Sequence, residues 1–189
     1  IMMQAQAETV KPTFVRSAST VMTVPIGITL SPDGTKIHFA KFNSGRNLYQ
    51  YDLSIPFNIS SIDSSSEVIL NVNSGTDAMG NGKIEDLTFN GDGTKVYAVG
   101  FSGQMTVHSL STPYDLSNAT QDADDGINWS TGIFKGLGDS DSNHRIHAMR
   151  FNNDGTKMFL NDSNGTVGVI EYNLSTPYLP GSASFGNFF

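Results

Sequence analysis

Apolar and polar positions alternate in short runs along this chain, and the runs recur in a fixed order. Ile28-Thr29-Leu30 leads into Ser31-Pro32-Asp33-Gly34-Thr35-Lys36, and Ile37-His38-Phe39 follows. Leu87-Thr88-Phe89 and Val96-Tyr97-Ala98-Val99 bracket Gly91-Asp92-Gly93-Thr94-Lys95 in the same way. Met149-Arg150-Phe151 and Met158-Phe159-Leu160 bracket Asn153-Asp154-Gly155-Thr156-Lys157. Two period-two runs joined by a short Asp-Gly segment predict a β-hairpin. Pro32 and Asp33 suit the centre of a type I turn, and Gly34 suits the left-handed residue after it. Asp92 lies 59 residues after Asp33, and Asp154 lies 62 after Asp92, so the chain is a repeat protein.

A third run follows each hairpin: Tyr49-x-Tyr51-x-Leu53, Thr106-x-His108-x-Leu110 and Ile170-x-Tyr172-x-Leu174. Its alternation places those side chains on one face of a strand. The last Leu falls 20, 18 and 20 residues after the turn Asp, so this part of the unit has a nearly constant length. Ser54-Ile55-Pro56-Phe57, Ser111-Thr112-Pro113-Tyr114 and Ser175-Thr176-Pro177-Tyr178 then stop the strand, because proline cannot donate to a ladder. The aromatic after each proline is expected to pack at the outer edge.

A fourth run is read at Glu67-Val68-Ile69-Leu70, at Gly132-Ile133-Phe134 and at Ser184-Phe185-Gly186-Asn187-Phe188-Phe189. No window shows helical periodicity. The expected fold is therefore all-β, built of three four-stranded antiparallel meander repeats. Both faces of the second and third strands carry apolar residues, as stacked β-propeller blades require. Residues 1–10 are expected to be disordered and 11–189 to form the propeller domain. Its repeats fall at about 20–64, 65–129 and 130–189, after one short strand at Thr13-Phe14-Val15.

Pro-Asp-Gly-Thr-Lys, an aromatic strand, and then Tyr-x-Leu-Ser-Thr-Pro-Tyr-Asp-Leu-Ser together resemble the propeller repeats of bacterial TolB-type and surface-layer lactonase-like proteins. They resemble still more closely the uncharacterised repeat proteins of marine bacteria and their phages. The resemblance spans roughly residues 20–189 and implies a fold, since such propellers host binding modules and enzymes alike. Closed propellers have four to eight blades, and three are readable here. Three wedges would leave two apolar faces bare. A second copy in a twofold dimer, or a missing part of the chain, is expected to complete the ring.

Composition narrows the classes of function. Hydrophobic residues make up 38% of the 189, which suits a globular chain large enough to bury a core. The formal charge of −7 argues against a nucleic-acid partner. With no cysteine, disulfides and thiolate metal sites are impossible. No apolar run approaches the roughly 18 residues of a membrane span. Ala5-Gln6-Ala7 matches a signal cleavage pattern, but the apolar core of a signal peptide is missing. An extracellular, periplasmic or virion-surface location is the expectation.

Chemistry is expected in the loops that lead into each first strand and in those between second and third strands. Repeats two and three, aligned by their offset, bring Asp77 onto Asp139, Asn81 onto Asn143, and Glu85 onto His147. Arg46, Asp77, Asn81, Glu85, Asp86, Asp139, Asp141, Asn143, His144, His147 and Asp162 are the candidate ligand-binding residues. Asp139-x-Asp141-x-Asn143 has the alternating oxygens of the first half of a calcium loop, but the remaining ligands are absent, so calcium is a minor expectation. The cluster Asp122-Ala123-Asp124-Asp125-Gly126 reads as a solvated loop. His108 stands where Tyr51 and Tyr172 stand and reads as packing. No catalytic residue is assigned. The leading expectation is a non-enzymatic module recognising a glycan or a protein. The alternative is a metal-dependent lactonase-like hydrolase using Glu85, Asp86, Asp139, Asp141 and His147.

Overall fold

The structure, a computed structural model, describes residues 24–41, 46–72, 83–100, 105–122, 146–162 and 168–188. These form three four-stranded antiparallel meanders. The first is β1 (Pro25–Leu30), β2 (Lys36–Lys41), β3 (Asn47–Leu53) and β4 (Ile62–Asn71). The second is β5 (Ile84–Phe89), β6 (Lys95–Gly100), β7 (Met105–Leu110) and β8 (Ala119–Gln121). The third is β9 (Ile146–Phe151), β10 (Lys157–Asp162), β11 (Val169–Leu174) and β12 (Ala183–Phe188). Strand β4 runs past residue 64. The fourth strand of the second sheet is Ala119–Gln121 rather than Gly132-Ile133-Phe134, which lies outside the described residues, as does Thr13-Phe14-Val15.

The hairpin turn forms as its residues dictate. The Gly34 N–H donates to Ser31 O at 2.8 Å, and Gly34, Gly93 and Gly155 sit at φ 70°, 74° and 71°. The turn aspartate holds the loop: Asp33 Oδ1 accepts from the Thr35 N–H at 3.1 Å and from its hydroxyl at 2.9 Å. Asp92 with Thr94 and Asp154 with Thr156 repeat both bonds. Phe57, Tyr114 and Tyr178 take positive φ of 59°, 59° and 58°. Each donates its N–H to the turn glycine carbonyl at 2.9 Å. Their rings lie against the glycines, so closely that an added Cβ would come within 2.4, 2.2 and 2.3 Å. The aromatic series therefore clamps the turns and does not pack at the outer edge.

The turn lysines cross to neighbouring strands, with Lys36 on Asp52 at 2.8 Å, Lys95 on Asp122 at 2.8 Å and Lys157 on Glu171 at 2.6 Å. Asp122 also accepts from the Ser109 hydroxyl at 2.8 Å. It thus belongs to the sheet, not to a solvated loop.

The core lies between sheets. Ala40 and Leu48 of the first sheet pack with Leu87, Val96, Ala98 and Leu110 of the second. Tyr97, Val99, Met105 and Val107 then pack with Met149, Met158, Leu160, Ile170 and Tyr172 of the third. Hydrogen bonds cross both seams at matching places. His38 Nε2 donates to Tyr114 O at 2.9 Å, and the Tyr97 hydroxyl donates to Tyr178 O at 2.7 Å. The inner strands β1, β5 and β9 run side by side, as at the hub of a propeller.

Among the described residues, the outer faces of the first and third sheets are not uniformly apolar and bare. On the far face of the first sheet, Ile37, Phe39 and Tyr51 are buried. On the far face of the third, Asn161, Val169 and Asn173 are exposed, and Lys157 pairs with Glu171 around a half-buried Phe159. That face is mixed in character, and its polar groups are solvated or paired rather than awaiting an apolar cover.

Candidate functional site

All three inner strands carry a β-bulge near the same level. The pairing slips between Ile26 and Thr29 in β1, between Ile84 and Asp86 in β5, and between Ile146 and Ala148 in β9. A bulge inserts one unpaired residue and re-aims its side chain. In β5 the extra residue is Glu85 and in β9 it is His147. Both lie eight residues before the turn glycine, where the first repeat has Ile26. The two re-aimed side chains meet across the second seam, with His147 Nδ1 at 3.2 Å from Glu85 Oε2. The carboxylate side chain is 13% exposed and the imidazole 38%. The pair is therefore both sheltered and reachable.

Asp86 lies beneath this pair. Its side chain is 4% exposed, and Oδ2 accepts from the Met149 N–H at 3.0 Å and from Arg150 Nη1 at 2.5 Å. A buried carboxylate is tolerated when it is paired and hydrogen-bonded, as this one is. On its other side Gly27, at φ 56°, comes so close that a Cβ there would lie 2.7 Å from Asp86 Cα. The three inner strands are thereby locked together at the level of the bulges.

Other candidates fall elsewhere. Asp162, at the loop end of β10, is buried and pairs in register with Ile146, the neighbour of His147. Its backbone N–H donates to Gly168 O at 3.0 Å, and its charge, behind the larger effect of burial, helps push the Tyr172 hydroxyl pKa up. Arg46 precedes β3, and its carbonyl receives the Val72 N–H at 2.8 Å. Asp77, Asn81, Asp139, Asp141, Asn143 and His144 lie outside the described residues.

Of the remaining histidines, His38 and His108 are buried, and burial pulls each down to about 4 from the usual 6.5. Both are therefore neutral packing groups near pH 7. Arg150 is not among the residues the sequence pattern singles out. The readable signal was its position: Thr29 and Thr88 stand there in the other repeats. The matching signal for Asp86 is Gly27.

The described residues do not fit a metal centre. Among them no three His, Asp or Glu side chains cluster as ligands would. Asp86 is occupied by the Met149 N–H and by Arg150, which leaves two groups where a catalytic zinc takes three protein ligands.

No protein family and no curated protein matches the sequence. Among solved structures, the fold is similar to a candidate 6-phosphogluconolactonase of Bacteroides uniformis. The two share 15% identity with a TM-score of 0.54, over 87% of this chain and 40% of that one. It is also similar to the periplasmic gluconolactonase of Pseudomonas aeruginosa, at 12% identity and a TM-score of 0.50, again over 87% and 40%. A β-propeller domain of Myceliophthora Swd1 aligns at 10% identity, with a TM-score of 0.43 over 87% and 59%. These identities bear on fold alone. The protein is an all-β chain of propeller blades, and it spans about 40% of the length of the two lactonase structures.

Proposed function

We propose that this chain contributes three blades to a propeller hydrolase that opens a sugar-acid lactone at the loop end of its inner strands. The carrying observation is the Glu85–His147 pair, two bulged residues from adjacent inner strands that meet at 3.2 Å. Likeness of fold to the gluconolactonase and to the candidate 6-phosphogluconolactonase supports the choice of reaction class. With Nδ1–H donating to Glu85, the lone pair of His147 lies on Nε2. Water attacks the lactone carbonyl carbon while Nε2 takes its proton. The ring C–O bond then breaks, and His147 returns the proton to the departing alkoxide, giving the open hydroxy acid. Glu85 holds the tautomer and stabilises the imidazolium. No step runs through a metal.

Turnover of δ-gluconolactone, followed by pH-stat above the spontaneous rate, tests this reading. Acid–base catalysis of this kind contributes about 100-fold or more, so His147→Ala and Glu85→Gln are each expected to lose at least that much. A folded wild-type protein no faster than the spontaneous reaction would overturn the proposal.

The binding-module reading keeps one observation in its favour. Equivalent inner positions carry Ile26, Glu85 and His147, an asymmetry suited to contacting one unsymmetrical glycan or protein without turnover. Saturable binding lost in the same variants, with no hydrolysis, would select it. The remaining blades would come from a second copy or from another part of a longer chain, and light scattering distinguishes these. A periplasmic or extracellular setting accords with the periplasmic neighbour.

A further inference from the structure

We propose that the seam between the second and third sheets, at its turn end, binds the carboxylate of an acidic sugar. The cavity opens toward the turns, although its Arg150 reaches back to Asp86 beside the Glu85–His147 pair, and the inference is kept apart from the hydrolase reading by its own ligand and its own variants. A cavity of about 340 Å³ opens there, walled by Thr88, Phe89, Phe151 and Tyr178 and rimmed by Asn153 and Arg150. Pockets of about this size and larger hold small molecules.

The aromatic wall is fixed. Phe151 packs edge-on to Tyr178 with centroids 5.3 Å apart, and the Tyr178 hydroxyl donates to Asn153 O at 2.7 Å. Gly91 makes the room: a Cβ on it would lie 2.7 Å from the Tyr178 hydroxyl. At the seam between the first and second sheets, Pro32 and Thr88 hold the positions of Gly91 and Arg150, and the cavity of about 300 Å³ beside Pro32 and Tyr114 is lined by Lys36 and has no arginine.

Arg150 supplies the recognition group. Its Nη1 donates to Asp86 Oδ2 and to its own Met149 O, both at 2.5 Å, and its side chain is 56% exposed. Pinning one nitrogen orients the planar guanidinium before any ligand arrives. The Nε–Nη2 edge remains, with the fork geometry that takes a carboxylate in two parallel bonds. The charges nearby restrict the ligand further. Asp86 offsets the guanidinium, and Asp92 and Asp154 stand in the flanking turns, each lowered in pKa by hydrogen bonds from its threonine. This acidic surround disfavours a phosphate dianion. A single carboxylate on an otherwise neutral ring remains, its ring carbons against the aromatic wall and its hydroxyls toward Thr88 and Asn153.

The test is an NMR titration of the isotopically labelled chain with D-glucuronate, with D-glucose and with inorganic phosphate. Glucuronate is expected to give saturable shifts at the Arg150 side chain and Asn153, and to bind about tenfold more tightly than glucose or phosphate. Gly91→Ser, which fills the groove, is expected to abolish the shifts while δ-gluconolactone turnover stays as in wild type. Because Arg150→Gln alone strands the buried Asp86, the double variant Asp86→Asn/Arg150→Gln provides the charge control and is expected to lose glucuronate binding. A folded wild type without saturable glucuronate shifts, glucose binding as tightly as glucuronate, or Gly91→Ser binding unchanged would each overturn the proposal.

Discussion

At the scale of single residues, the repeat is held by one contact made three times. A glycine in left-handed conformation lies beneath an aromatic ring whose own backbone is also left-handed, and the aromatic N–H closes onto the glycine carbonyl. Positive φ at a bulky residue is strained and persists only where its surroundings over-determine it. Here the ring's contact with the turn and the 2.9 Å backbone bond supply that compensation. A side chain on the glycine would meet both penalties, a disfavoured φ and a clash with the ring. Gly93→Ala is expected to cost about 2 kcal/mol or more, and the same change at the exposed Gly91 about 1 kcal/mol, since its φ is ordinary and only the tip of the Tyr178 side chain has to give way. Chemical denaturation midpoints of the two variants check this. Equal losses would show that the ring contact contributes nothing.

At the scale of elements, the seams between sheets are more informative than the sheets. His38 and Tyr97 stand five residues after the turn Asp, and each donates to the carbonyl of the clamping tyrosine in the next sheet. Phe159 holds that position in the third repeat and has no donor. Tyr97→Phe removes a bond from a buried hydroxyl to a partly buried carbonyl and is expected to cost about 1 kcal/mol, because Tyr178 O then loses a partner. Thermal melting checks it, and a change under a few tenths of a kcal/mol would mean that solvent satisfies the carbonyl.

The strands themselves were legible, since two-residue alternation and Pro or Gly stops are local signals. The short β8 was not. Ala119–Gln121 lacks an apolar run and is held by pairing with β7 and by Asp122, a long-range partner of Lys95 and Ser109. The bulges were equally invisible, because a one-residue slip is defined only against the paired strand. Glu85 and His147 could be named as candidates from the offset of two repeats. Their meeting could not.

At the scale of the whole molecule, burial of two histidines makes stability depend on pH. His38 and His108 are held neutral, with burial lowering each to about 4. In the unfolded chain each takes a proton near pH 6.5, so between these values the unfolded state binds more protons than the folded one. Stability is therefore fully present above about pH 6.5 and is lost as pH falls toward 4, by up to about 3 kcal/mol per histidine. The turn aspartates, held below the usual range by their threonines, add a further loss only at still lower pH. Melting temperature measured between about pH 7.5 and pH 4.5 is expected to fall steadily. His108→Tyr, which restores the residue of the other repeats, is expected to remove about half of that slope. A flat profile in the wild type would show that the two imidazoles reach solvent.

The linear chain by itself determined the unit: its length, its hairpin turn, its strand stops and its all-β class. Each of these follows from local sterics, from proline and glycine backbone limits and from a period of two. Only the tertiary structure decided how the units meet. It set which face of each sheet is buried, which buried imidazoles stay neutral, and that Glu85 faces His147 while Arg150 reaches back to Asp86. Those contacts join residues more than sixty positions apart, and they depend on bulges and seam packing that no local pattern encodes.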